Sequence, residues 1–207
     1  MNNIKNEKMS ETKIKILEIS LDLFSKQGFK GTSIRQIANA VGIKGASIYN
    51  HFGGKEEILQ AIFSIYRPRS FRENLINNTY LEQIKENPDN FITVFDNEII
   101  NGYKTNEHWS KLYKLIIMEM FQNETVGTIM KKNILQDAKN AFKHFFDELK
   151  KCKLIKNIDT LFLANEFLNI LISSNIEILL IHNDDNFDYY IDLLRKRIEF
   201  FWKNIKS

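Results

Sequence analysis

SIRQIANAVGIKGASIYNHF, residues 33–52, reads as two short helices around a turn. Ile34, Ile37, Ala38 and Val41 recur at helical spacing, so a helix that starts at Thr32 or Ser33 buries them on one face. The turn falls at Ala40–Ile43. Gly42 breaks the helix there because it accepts a positive φ that most residues avoid. A third short helix carries Ile48, Tyr49 and Phe52. Ile34, Ile37, Val41, Ile43 and Ile48 form a small core, and Ala38 is slim enough for the two helices to approach closely. The remaining faces of the third helix go to Lys44, Gly45, Ser47, Asn50 and His51. These are small, polar or basic, and a helix of this size fits the DNA major groove, whose base edges carry a donor and acceptor code. An ordinary helical hairpin is the competing reading, and that outward face argues against it.

Working outward, Ile14, Leu17, Leu21 and Phe24 mark a preceding helix with Thr12 as its expected N-cap and Gly28 as its end. On the other side Gly53-Gly54 punctuates, and Lys55-Glu56-Glu57 opens a fourth helix. Residues 1–67 hold ten lysines and arginines against six acids, whereas residues 68–207 hold nineteen against twenty. Between Asp22 and Glu56 there is no acid, while Lys26, Lys30, Arg35, Lys44, His51 and Lys55 all lie in that window. Such a field attracts phosphate backbones. On charge alone it is also compatible with a solvated face.

The two prolines, Pro68 and Pro88, bracket an expected helix over 70–86, with Asn87 capping the next. Polar breaks are expected near Lys104–Glu107, Gln122–Thr125, Lys153–Asp159 and His182–Asn186. Between them, helices are expected over 125–151, 159–182 and 187–205, and no stretch alternates as a strand does. Cys152 is the only cysteine, so no intrachain disulfide forms. The N-terminus lacks an apolar core of the kind a signal peptide carries. The apolar run Phe167–Ile181 is shorter than the ~20 residues of a membrane span. A cytoplasmic chain without membrane contact is the expectation.

Residues 12–63 resemble the N-terminal domain of the tetracycline-repressor (TetR) family, through ILEISLDLF, then GFKGTSI, IANAVGI, SIYNHF and KEEIL in order. The resemblance implies an all-α protein. A three-helix, homeodomain-like helix-turn-helix domain over 10–55 would precede a larger helical ligand-binding and dimerisation domain over 56–207. It implies a homodimeric, non-enzymatic repressor on a palindromic double-stranded operator, released by a small-molecule effector. Thr32 and Ser33 fall where the family contacts phosphate, as do Tyr49 and Lys55. Lys44, Gly45, Ala46, Ser47, Tyr49, Asn50 and His51 fall on the recognition helix, and Arg35 adds positive charge beside it. Two departures matter. Lys44-Gly45-Ala46-Ser47 lacks the usual serine cap, and Gly54 stands where a capping side chain is common.

Beyond this segment, Phe91, Phe95, Tyr103, Trp109, Tyr113, Phe121, Phe142, Phe145 and Phe167 are candidates for an apolar effector cavity, with plain core packing as the alternative. Phe167, Leu168, Leu171, Ile172, Ile176, Leu179, Leu180, Leu194, Ile198, Phe201 and Trp202, on the last two helices, are candidates for the dimer interface, as the family would have it. His108, His144 and His182 show no metal-ligand spacing with one another or with Cys152, so no metal or cofactor is expected. FGGKEE lacks the glycine and the Ser/Thr of a phosphate loop, and no nucleophile or zinc-protease motif appears. A helical carrier or enzyme without regulatory DNA binding is the alternative, and the acid-free basic window is what separates the two.

Overall fold

The computed structural model describes residues 9–66, 73, 75–97, 107–181 and 187–207, and over them the chain is helical apart from one isolated antiparallel bridge, Ile155–Lys206. Tyr103, Pro68, His182 and most of the breaks expected around 104–107 and 182–186 lie outside the described residues. Helix α1 (Glu11–Gln27) is capped by Ser10, whose hydroxyl accepts the Lys13 N–H at 3.3 Å; Thr12 falls inside the helix instead of capping it. Gly28 ends α1 at φ +79°. Then come α2 (Ile34–Val41), α3 (Gly45–Ile48) and α4 (Lys55–Tyr66). Ile16, Leu17, Leu21 and Phe24 of α1 meet Ile37, Ala38, Val41, Ile48 and Phe52, and α4 closes this core with Ile58, Leu59, Ile62 and Phe63. Ile14 sits at the edge of the α1 stripe and stays exposed.

This core does not stop at α4. Helix α7 (Glu107–Glu119) contributes Leu112, Leu115 and Ile116, and α8 (Glu124–Ile129) contributes Val126. The N-terminal helices are therefore seated on α7 by apolar burial, at about 1.5–3 kcal/mol per large side chain.

A second core lies among the remaining helices. The helix expected over 70–86 is interrupted: Asn78 adopts φ +60°, and α5 spans only Thr79–Glu86. Asparagine tolerates this left-handed conformation better than most residues. Asn87 accepts the Asp89 N–H at 3.0 Å ahead of α6 (Asn90–Phe95). After α8 the chain continues without a break through a π-helical stretch, Met130–Asp137, into α9 (Ala138–Lys151). Helices α10 (Thr160–Ile181) and α11 (Phe187–Ile205) complete the body.

Phe91, Phe95, Phe142, Phe145 and Phe167 lie in the middle of this core, and all are fully buried. Phe91 stacks on Trp202 with centroids 4.3 Å apart, and Phe167 meets Phe95 edge-on at 4.6 Å and Phe142 at 5.2 Å. These rings pack on one another, so they act as core and bind α6, α9, α10 and α11 together. Phe121, on the turn between α7 and α8, is 89% exposed and lines no interior space. Trp109 and Tyr113 meet edge-on at 4.5 Å on α7. Burial pushes the Tyr113 hydroxyl up to about 12.

Helix α10 has 22 residues, and Thr160–Leu180 is long and apolar enough to cross a membrane by length and composition. The run Phe167–Ile181 understated it because the helix begins seven residues earlier. It packs instead between α9 and α11, with Leu163, Ala164, Phe167, Leu168, Leu171 and Ile178 in the core. Arg197 joins α11 to α10 through Glu177 at 2.6 Å and Ser174 at 2.8 Å.

Of the residues expected at a dimer interface, Phe167, Leu168, Leu171, Leu194, Ile198, Phe201 and Trp202 are buried within the subunit itself. Ile172 and Leu179 are half-buried, and Ile176 and Leu180 face outward. Phe162 of α10 and Tyr189 and Phe200 of α11 are exposed as well.

Candidate nucleic-acid interface

Helix α2 begins with a capping box. The Ser33 hydroxyl accepts the Gln36 N–H at 3.2 Å, and the Gln36 side chain accepts the Ser33 N–H at 2.7 Å. Two N–H groups that a helix start leaves unpaired are thereby satisfied. At the other end Gly42 adopts φ +85° and ψ +30°, and its N–H and that of Ile43 both reach the Ala38 carbonyl at 3.0 Å. A Cβ at Gly42 would meet nothing within 4 Å, so the backbone conformation, not space, calls for glycine. Lys44 is the N-cap of α3 and makes no side-chain cap, in keeping with the missing serine. Only Gly45–Ile48 forms regular α-helix; Asn50 and His51 continue it through tight turns onto the Ser47 and Ile48 carbonyls.

The expected contact residues fall into two groups. Ser33, Arg35, Lys44, Ala46, Tyr49 and Asn50 are exposed, with Tyr49 at 60%, while Gly45, Ser47 and His51 are half-exposed. Ile48 and Phe52 turn inward between them and anchor the segment. Thr32, by contrast, is 1% exposed. Its hydroxyl donates to the Gly28 carbonyl at 2.9 Å and its N–H to the Phe29 carbonyl at 3.3 Å, so side chain and backbone alike serve the turn. Lys55 is likewise engaged. Its Nζ donates to the carbonyls of Phe29 at 2.6 Å and Thr32 at 2.7 Å, and lies 4.3 Å from the centre of the Phe29 ring. The start of α4 already carries an anion, because Glu57 accepts the Gly53 N–H at 2.6 Å. Helical periodicity does not reveal either engagement, because the Lys55 ammonium meets the turn only once α4 has folded back against it, 23 and 26 positions along the chain.

The basic window narrows accordingly. Lys26 pairs with Asp22 at 2.8 Å, and two lysines, Lys26 and Lys111, hold the Asp22 carboxyl below its ordinary range. Lys30, Arg35 and Lys44 are exposed and make no ion pair among the described residues. These three cations, from a stretch of sequence without acids, can take up phosphate oxygens, and the exposed Tyr49 and Asn50 can present donors to base edges. No group of three potential metal ligands occurs among the described residues.

Comparison with known proteins agrees with this geometry. Residues 16–62 match the family model for bacterial regulatory proteins of the tetR family. Residues 54–196 also match a model described as poxvirus A6 protein, a description that names no activity and leaves out the 33–52 segment. The chain is 26% identical over 171 residues to the biofilm operon icaADBC HTH-type negative transcriptional regulator IcaR of Staphylococcus epidermidis, covering 77% of this chain and 78% of that one. It is 29% identical over 166 residues to IcaR of Staphylococcus aureus, covering 75% and 82%. A 58-residue segment is 40% identical to the HTH-type transcriptional regulator YerO of Bacillus subtilis, covering 28% of this chain and 20% of that protein. Among solved structures, the SmeT–triclosan complex overlays with a TM-score of 0.74 at 17% identity, covering 96% of this chain and 93% of that one. A TetR transcription regulator from Haloarcula marismortui overlays with a TM-score of 0.71 at 12% identity, covering 96% and 100%. The ordered sequence blocks and the Gly42 turn between α2 and α3 make residues 16–62 a helix-turn-helix domain of the tetR type, set on a helical body whose fold is that of TetR transcription regulators, and over three quarters of its length the chain is similar to HTH-type transcriptional regulators.

Proposed function

We propose that the protein is a homodimeric repressor that binds a palindromic operator through α2 and α3 and leaves it when a small molecule occupies the C-terminal body. The unpaired Lys30, Arg35 and Lys44 around the α2–α3 face carry the DNA-binding part of this reading. The repressor sense is supported by the IcaR relatives, described as negative regulators. The effector is supported by the triclosan complex of a protein with this fold. In this reading residues 10–55 hold the DNA, residues 56–207 hold effector and partner, and the protein works in the cytoplasm where the operator lies.

The second subunit fits the exposed stripe Phe162, Ile176 and Leu180 of α10 with Phe200 of α11. Two copies of this stripe, packed as a four-helix bundle, would remove it from water in one isologous contact. The effector acts only if it binds the DNA-incompetent arrangement more tightly than the competent one. Selection of bound fragments from a random DNA pool, followed by gel shifts at low and physiological salt, tests the proposal. An inverted-repeat consensus, with affinity falling as salt rises, is the expected result. Recovery of no enriched sequence would reject it.

A further inference from the structure

The turn between α1 and α2, residues 28–32, is gripped from opposite sides by two helices that enter the C-terminal body. From α4, Lys55 donates to the Phe29 and Thr32 carbonyls. From α7, Glu119 reaches across ninety positions of sequence, and its Oε1 accepts the Phe29 N–H at 2.9 Å. Phe29 is therefore held at its N–H by a carboxylate, and at its carbonyl and ring by an ammonium. Gly28 completes the arrangement: it adopts φ +79°, and a Cβ there would stand 3.0 Å from Glu119 Oε1. Glu119 is only 6% exposed, and its Oε2 is buried without a hydrogen-bond partner among the described residues.

A half-satisfied buried carboxylate is unfavourable for stability alone, since an apolar residue of similar size would suit the site better. Farther along the α1–α7 seam lie two more buried hydroxyls without partners among the described residues, Ser20 on α1 and Ser110 on α7. Directly after the gripped turn comes Ser33, the cap of α2, so the position of Phe29 sets where α2 and α3 begin.

We infer that Glu119 is a positioning residue for DNA binding: its carboxylate fixes the turn that aims α2 and α3, and so ties the placement of α7 to operator affinity. The inference rests on the regulator reading above. Its test uses the full-length chain and DNA fragments that the wild type enriches from a random pool. Glu119→Asp falls one methylene short of Phe29, Glu119→Ala removes the acceptor, and Glu119→Gln keeps an acceptor oxygen at full length. Asp and Ala should bind enriched DNA about tenfold more weakly. Their helicity, base preference and salt slope should be those of the wild type, because Glu119 touches no phosphate. Gln should restore most of the affinity. Amide exchange at Phe29 should quicken in Asp and Ala but not in Gln. A folded Asp or Ala variant that binds like the wild type, or shows unchanged Phe29 exchange, overturns the inference. Unfolding of all three variants also overturns it, in favour of a purely structural role. If the wild type enriches no DNA, the regulator reading fails, and the exchange rates alone still decide whether Glu119 holds the turn.

Discussion

Replacing Lys55 with alanine separates two roles for one ammonium group. Family position puts Lys55 on phosphate, while the structure puts its Nζ on two carbonyls and over the Phe29 ring. A hydrogen bond from a charged donor contributes about 1.5–3 kcal/mol, and a cation that stays partly solvated over a ring about 0.5–1 kcal/mol. Lys55 is half-exposed and water replaces part of what is lost, so the lower end applies to the whole arrangement. The expected destabilisation is about 2 kcal/mol, or a melting midpoint about 4–8 °C lower for a chain of this size. The slope of log affinity against log salt should stay close to wild type, since the ammonium is already spent on the turn. Calorimetry and salt-titrated gel shifts measure the two quantities. A variant that melts with the wild type yet loses about one unit of slope would place the ammonium on phosphate and refute the argument.

Arg35→Ala and Lys44→Ala should each flatten the salt slope by about one unit per half-site, while Lys26→Ala, whose ammonium serves Asp22, should not; equal slopes for all three would dissolve the distinction. Asn50→Ala should relax preference at particular base pairs by about 1–3 kcal/mol in a binding assay over operator variants, and wild-type preference at every position would remove it from the reading set. Phe200→Glu and Leu180→Glu, at 72% and 79% exposure, should give helical monomers by sedimentation. Ile198→Glu should instead unfold the subunit, because it buries a carboxylate in the subunit's own core. Dimers that survive at both exposed sites place the interface elsewhere.

The local features were legible because they depend on neighbours in sequence. The Gly42 turn and the inward set Ile37, Val41 and Ile48 lie where the motif puts them. The last helix is the apolar stripe 187–205 itself. What escaped depends on partners far along the chain. Periodicity places Ile198 and Leu180 alike on apolar faces, yet one is core and the other surface, because only the packing of α10 and α11 on each other and on the rest of the subunit decides between them. The same holds for Phe91 and Phe121, which composition cannot tell apart. The break at Asn78 needs a positive φ that asparagine permits without announcing. Glu119 left one trace: it is an acid flanked by Ile116, Ile117, Met118 and Met120, a position where a charge calls for a reason.

The π-helical stretch Met130–Asp137 also acts as a phase shifter. Val126 and Ile129 upstream, with Met130 at the start of the stretch, lean on the N-terminal core; downstream, Ala138, Ala141, Phe142 and Phe145 lean on the C-terminal one. A π turn holds more residues than an α turn, so each one rotates the apolar stripe that follows it. One unbroken rod can thus present its grease to two different neighbours without a loop between them. Deleting a single residue from the stretch would let it wind as ordinary α-helix and would swing the α9 stripe by the angle one residue spans. The two halves of the molecule are thus held in rotational register by an excess of chain.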